Sequence, residues 1–231
     1  MTRSRMGFWY RAGWSFFRVV FAAFFRWRVL NPGRVPDAGP VILAANHASY
    51  FDPPLVGAGL PRMVVMLARR SLFRFPGFGR LLRLWHTVPV DPKSGSAAAL
   101  KTVLSRLAAG NAVLIFPEGA RSFDGRLQPA RAGLGLVVVK SAASVVPVRI
   151  WGSHEAYGRG SLLPRPRRIT VKYGRPLFFI ELREEAAHCS KPRFKEICRE
   201  VADRVMAEIA RMEPVPDEDP PRPDPEMLPA L

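Results

Sequence analysis

Through the middle of the chain, short apolar runs alternate with stretches whose apolar positions recur every three or four residues. VILAA at 41–45, MVVMLA at 63–68, HTVPV at 86–90, AVLIF at 112–116, VVPVRI at 145–150 and RITVKY at 168–173 are short and rich in β-branched residues, which predicts strands. Helical spacing fits 53–59, 71–84, 96–109, 129–142 and 192–212. Such β/α alternation with short connections predicts an α/β fold: a mixed, largely parallel central sheet covered by helices. Ligands of such sheets gather beyond the carboxyl ends of the strands.

Within that frame, several patterns are structural. Phe194, Ile197, Cys198, Val201, Val205 and Ile209 fall on one face of the last helix and make a core-facing stripe. Gly133 and Gly135 in RAGLGLVVVK read as close-packing glycines, because the third glycine and preceding strand of a dinucleotide loop are missing.

The pattern changes at both ends. Residues 8–30, FWYRAGWSFFRVVFAAFFRWRVL, hold four arginines and no acid, and their longest uncharged run is seven residues. That is well short of the roughly 20 needed to span a bilayer. At 100° per residue Arg11, Arg18 and Arg26 share one sector, so residues 1–32 read as a basic amphipathic helix lying in a membrane interface. The arginines that break the apolar run argue against a secretory signal. The same pattern also suits a helix packed on the protein's own core. Residues 33–212 form the main domain. Residues 213–231 carry seven prolines and a net charge of −5, which predicts a disordered acidic tail.

Composition narrows the chemistry. The 231 residues carry a formal charge of +16, which favours anionic partners: a phospholipid surface, a phosphorylated substrate or nucleic acid. Phe and Trp cluster at 8–27 instead of interleaving with basic residues on strands, which argues against a nucleic-acid-binding module. Cys189 and Cys198 have no ligand cluster around them, the four histidines are scattered, and no H-E-x-x-H, P-loop or G-x-S-x-G occurs. A bound metal is not expected.

Two motifs remain, each at a predicted strand end. In N-H-A-S-Y-F-D, His47 follows VILAA directly. An imidazole there can accept a hydroxyl proton, and works better when a carboxylate fixes its tautomer. Asp52 supplies one if 48–51 make a tight turn, yet Asp before Pro53-Pro54 is also an ordinary helix opening. In F-P-E-G-A-R-S, proline stops the strand, Gly119 permits close backbone approach and Arg121 offers a planar fork suited to phosphate. Glu118 would repel a bare phosphate, so it needs a cation or a hydrogen-bond donor, or serves to cap the turn.

These two motifs in this order, with LARRSLFRFPGFGRLLRLWHTVPVDP between them and VVPVRIWG after, resemble the glycerolipid acyltransferases, in particular the bacterial 1-acylglycerol-3-phosphate type. The resemblance covers about Gly33 to Gly174. It implies a glycerol-3-phosphate acyltransferase-like fold, His47 as general base with Asp52 as its partner, and Glu118, Gly119, Arg121 and Ser122 holding the acceptor. It further implies direct attack of lysophosphatidic acid on an acyl-CoA or acyl carrier protein thioester, with phosphatidic acid as product. No cofactor would be needed beyond that co-substrate, and no nucleic acid. The place would be the anionic phospholipid surface at the cytoplasmic face of the membrane, peripheral or monotopic. Three positions depart from the family pattern: Ala120 stands where threonine is usual, Pro92 where an arginine commonly follows V-D, and His86 where glycine is frequent. Pro92 keeps another lysolipid or polar-lipid acceptor open, and His86 is read as local packing.

Overall fold

In the computed structural model, residues 7–90 and 96–217 are described. Helix α1 (Phe8–Phe25) leads into β1 (Arg28–Leu30), a 3-10 turn (Pro32–Arg34), β2 (Val41–Ala45), α2 (Asp52–Ala58) and β3 (Val64–Arg69). A second 3-10 turn (Arg70–Arg74), α3 (Pro76–Leu84), β4 (Thr87–Val90), α4 (Ser96–Ala108), β5 (Ala112–Ile115) and α5 (Gly133–Val139) follow. The chain then makes β6 (Ser144–Trp151), α6 (Ser153–Tyr157), β7 (Thr170–Tyr173), α7 (Ile180–His188) and α8 (Lys191–Arg211).

The seven strands form one sheet in the order β1-β7-β6-β2-β5-β3-β4. All neighbouring pairs are parallel except β6 and β7. Strand β2 is buried along its whole length, and its side chains alternate between two cores. Ile42 and Ala44 join the layer built with α4, α5, α7 and α8, while Val41, Leu43 and Ala45 join the one built with α1 and α2. Pairing with β5 on one side and β6 on the other makes β2 the point where the connection crosses over, so the loops after β2, β5 and β6 open at one edge.

The mixed, mostly parallel sheet agrees with the sequence pattern, and the departures have local causes. The predicted helix 71–84 is split because Pro76 opens a fresh helix, and Gly79 lies so close to Phe73 that a Cβ would sit 2.4 Å from the Phe73 carbonyl oxygen. Strand β1 was read as the end of the first helix, which instead stops at Phe25 with Arg26 in the left-handed region at φ 44°. The short helices α6 and α7 were not anticipated. Gly135 does permit close packing, since a Cβ there would lie 1.8 Å from the Cys198 carbonyl oxygen on α8, but Gly133 has nothing within 4 Å.

Helix α1 has two faces. Tyr10, Phe21 and Phe25 are buried, Trp14 Nε1 donates to the Leu60 carbonyl at 2.8 Å, and Arg18 donates to the Ala58 carbonyl at 3.0 Å. Arg18 is thus engaged with the end of α2, which corrects the picture of three arginines aligned toward a surface. The opposite face exposes Phe8, Trp9, Phe16, Val19 and Phe24. No helix among the described residues is long and apolar enough to cross a membrane.

At the tail, residues 213–217 return to the body, while 218–231 and the disorder expected for them lie outside the described residues. Lys172 on β7 is buried, and its Nζ donates to the Val215 carbonyl at 2.8 Å, the Glu213 carbonyl at 3.1 Å and the Asp217 carboxylate. Arg34 reaches the same carboxylate at 2.6 Å. Among the described residues Asp217 is the one anion on this ammonium, and without it two dipoles remain but no neutralising charge. Asp217→Asn is expected to lower unfolding free energy by about 2 kcal/mol, read from urea denaturation. An unchanged midpoint would show that the contact contributes nothing.

Candidate active site

The loop after β2 and the loop after β5 leave the sheet side by side, because Ala44 pairs with Ile115 in the parallel ladder. His47 is held from three directions by F-P-E-G-A-R-S. Its backbone N–H donates to Glu118 Oε1 at 3.1 Å, its carbonyl accepts from the Ser122 N–H at 2.8 Å, and its ring stacks on Phe116 with centroids 3.8 Å apart. Asn46, just before it, bonds both backbone groups of Ile150 on β6, at 3.1 and 2.7 Å. That fixes the third loop to the first two.

Asp52 is fully buried and its Oδ2 is 2.8 Å from His47 Nδ1. The same oxygen accepts from the backbone N–H groups of Ala48 and Ser49, each at 2.7 Å. The carboxylate therefore closes the tight turn expected of 48–51. It does not cap α2, contrary to the ordinary reading of Asp-Pro-Pro. Pro53 and Pro54 have no N–H, and the Leu55 N–H is already bonded to the Phe51 carbonyl, so the first turn offers the carboxylate no donor. With Nδ1 directed at Asp52, Nε2 is the nitrogen left for chemistry, and the His47 side chain is 17% exposed. A charge forming on that ring would also lie against the face of Phe116.

The other predicted residues divide. Arg121 lies on the ring of Tyr50, 3.5 Å from guanidinium carbon to centroid, and its buried Nη1 has no hydrogen-bond partner among the described residues. Gly119 has φ 73°, and a Cβ there would lie 2.7 Å from Arg131 Cδ. Glu118 and Ser122 are buried. Glu118 Oε1 holds the His47 N–H while its Oε2 has no hydrogen-bond partner among the described residues, and Ser122 Oγ donates to Asp124 Oδ1 at 2.9 Å. Pro92 lies outside the described residues. Phe116 and Asn46 were not singled out in the sequence. A stacked ring and a backbone-mimicking amide have no spacing signature, though both sit inside the quoted motifs.

Beside the His47 loop, between α1, α2, β3 and α3, opens an apolar cavity of about 500 Å³. Trp14, Phe17, Phe51, Met66, Phe78 and Trp85 are among its walls, and Tyr50 stands both at its edge and under Arg121. Gly13 of α1 is crossed by Trp85, whose Nε1 would be 2.1 Å from a Cβ, so the indole closes directly on the helix backbone. The arrangement joins a base with a free nitrogen, a cation with an unused donor and an apolar chamber. No group of three or more metal-ligating side chains converges among the described residues.

A family model described as Acyltransferase matches residues 26–151. A 1-acyl-sn-glycerol-3-phosphate acyltransferase of Cocos nucifera is 35% identical over 62% of this chain and 48% of its own length. A lyso-ornithine lipid O-acyltransferase of Brucella abortus is 29% identical over 54% of this chain and 47% of its own. The chain thus spans about half the length of these curated relatives. The crystal structure of the 1-acyl-sn-glycerophosphate acyltransferase from Thermotoga maritima superposes with a TM-score of 0.69 at 24% identity, over 88% of this chain and 80% of that one, which shows a shared fold.

Glu118 titrates unusually. Burial pushes its pKa up and the nearby Asp52 charge adds to this, while the His47 N–H, the Gln128 N–H and Arg149 pull it back, leaving a value of about 7. The folded-state value is above the ordinary 4.5, so the stability it contributes is full below 4.5 and is lost as pH rises through about 7. Between pH 5 and 8 the thermal midpoint of the native chain should fall relative to that of Glu118→Gln, which has no proton to lose. Parallel profiles would remove Glu118 from the pH response.

Proposed function

The chain belongs to the acyltransferase family, and on that premise we propose that it moves a fatty acyl group from a coenzyme A or acyl carrier protein thioester to the free hydroxyl of 1-acylglycerol-3-phosphate, giving phosphatidic acid. The observation that carries the reading is the 2.8 Å contact of His47 Nδ1 with Asp52, which leaves Nε2 free beside an apolar chamber.

The chemistry follows from that geometry. Nε2 accepts the acceptor's hydroxyl proton as its oxygen attacks the thioester carbonyl carbon, and the imidazolium that forms is stabilised by the buried Asp52 carboxylate. The carbonyl becomes an oxyanion, the carbon–sulfur bond breaks as it re-forms, and His47 returns the proton to the departing thiolate. Charge balances at each stage without an acyl-enzyme. Arg121, with its unused Nη1, is the group best suited to the acceptor's phosphate. Glu118, Gly119 and Ser122 serve the acceptor indirectly, by shaping the loop that presents Arg121 and steadies His47. The cavity suits an acyl chain, since its walls bear few polar groups.

The apolar outer face of α1 supports attachment to the membrane surface, with Phe8, Trp9, Phe16 and Val19 entering the interface and the basic body drawn to anionic headgroups. A second acceptor reading, another lysolipid or a polar lipid, is favoured by one observation: a relative at 29% identity is named for a lyso-ornithine lipid.

Purified protein given acyl-CoA and lysophosphatidic acid should release free thiol, and His47→Ala should reduce turnover on the order of 10³-fold while the fold persists. Arg121→Ala should mainly raise the acceptor KM, by roughly 10- to 100-fold. Thiol release only with another lysolipid would select the second acceptor, and none with any lysolipid or acyl carrier would remove the acyl-transfer reading. Phe16→Asp with Val19→Asp alters only the exposed face of α1 and should weaken pelleting with anionic vesicles. Undiminished pelleting would remove that face from the membrane contact.

A further inference from the structure

At the end of the sheet opposite His47, where β3 and β4 begin, lies a second depression of about 230 Å³. Arg83, His86, Arg106 and Asn111 border it, together with the apolar Met63 and Val65. Its charge is one-sided. No carboxylate is among its lining residues, and no ion pair between described residues engages Arg83 or Arg106. Arg83 leans on the Phe73 ring, 5.6 Å from its centroid, which steadies the guanidinium without neutralising it. Two cations around one concavity raise a positive potential that an anion would relieve.

The backbone supplies an independent observation. His86 follows Trp85, the last residue of α3's cap, and adopts φ 54° with its N–H on the Arg83 carbonyl at 3.0 Å. Glycine is the default residue at such a left-handed helix end, because a Cβ is disfavoured there. Histidine is among the non-glycine residues that adopt this conformation, and here it turns the chain between α3 and β4. The imidazole borders the depression and lies 6.0 Å from the Tyr10 ring, centroid to centroid. Burial, and then the charge of Arg106, push its pKa below the ordinary histidine value, and an anion held beside the ring would raise it again.

We propose that Arg83, His86 and Arg106 form a phosphate-binding site at the strand N-termini, taking the phosphate group of a small ester or of an anionic lipid headgroup. The guanidinium forks suit phosphate oxygens, and His86 adds a third donor. The volume is below the roughly 300 to 1,000 Å³ of pockets for drug-sized ligands, which fits a compact headgroup and excludes a nucleotide. Tyr10 brings the start of α1 alongside, where Phe8 and Trp9 are exposed. Arg83, His86 and Arg106 do not line the apolar chamber beside His47, although Thr87 borders both, and the site stands whether or not the acyl-transfer reading holds.

The test uses the full chain carrying Arg121→Ala, so that the cleft does not contribute. Inorganic phosphate is titrated at fixed ionic strength while the His86 ring resonance, assigned with His86→Asn, is followed by NMR. The His86 pKa is expected to rise by about one unit, and the rise should disappear in Arg83→Gln/Arg106→Gln. Both arginines are exposed, so that variant keeps its fold. A second arm compares vesicles of phosphatidylcholine with and without phosphatidic acid, where the double variant should lose affinity for the acidic vesicles on the order of tenfold. A response to dissolved phosphate assigns a soluble ester, and a response confined to acidic vesicles assigns a headgroup. No response to either probe, or an equal one in the double variant, overturns the site.

Discussion

The candidate site depends on the parallel ladder between β2 and β5. Its strands are buried, so their backbone groups must pair with each other, and alternating side chains feed two separate cores. A slip of one residue would exchange every core-facing side chain, which fixes the register. Given Ala44 opposite Ile115, His47 and Phe116 leave the sheet together, and the bonds from Glu118 and Ser122 to the His47 backbone follow. The second motif therefore serves as a brace for the first.

The division of labour among charged groups follows from burial. Asp52 is wholly enclosed, with Oδ2 accepting from two backbone donors and facing the imidazole, while Oδ1 has no hydrogen-bond partner among the described residues. Glu118, enclosed with fewer donors and a like charge nearby, is pushed toward neutrality. Arg121 retains an unused donor while leaning on Tyr50. Ionisable side chains gathered at neighbouring strand ends thus differ through their surroundings.

Much of this was legible in the sequence. Six strands were readable because parallel strands buried on both faces become continuous apolar runs, and α8 because its stripe is long and regular. The pairing of His47 with Asp52 was readable as one of two alternatives, a tight turn at 48–51 or a helix cap. Asp-Pro-Pro looks like a helix cap, and only the bonding of Leu55 to Phe51 shows that there is no free donor to cap. Strand β1 is three residues long and gains its identity from β7, a partner far along the chain, so no local pattern announces it. Helix α1 was read as an amphipathic helix that lies in a membrane interface or packs on the protein's own core. Its inner stripe answers to α2 and its outer one to the exterior, and one-dimensional spacing cannot say which partner each stripe meets. His86 was read as local packing, and its ring does lie 6.0 Å from that of Tyr10, centroid to centroid.

The paired prolines that open α2 have a consequence beyond helix geometry. Hydrogen bonding at a carboxylate is competitive, and the nearest rivals of an imidazole are normally the amides of the carboxylate's own helix. Pro53 and Pro54 remove those rivals by deleting the hydrogens themselves. The orientation of His47 is thereby protected by two residues that need not touch it, and a substitution there could restore a competitor while leaving every visible contact of the histidine in place.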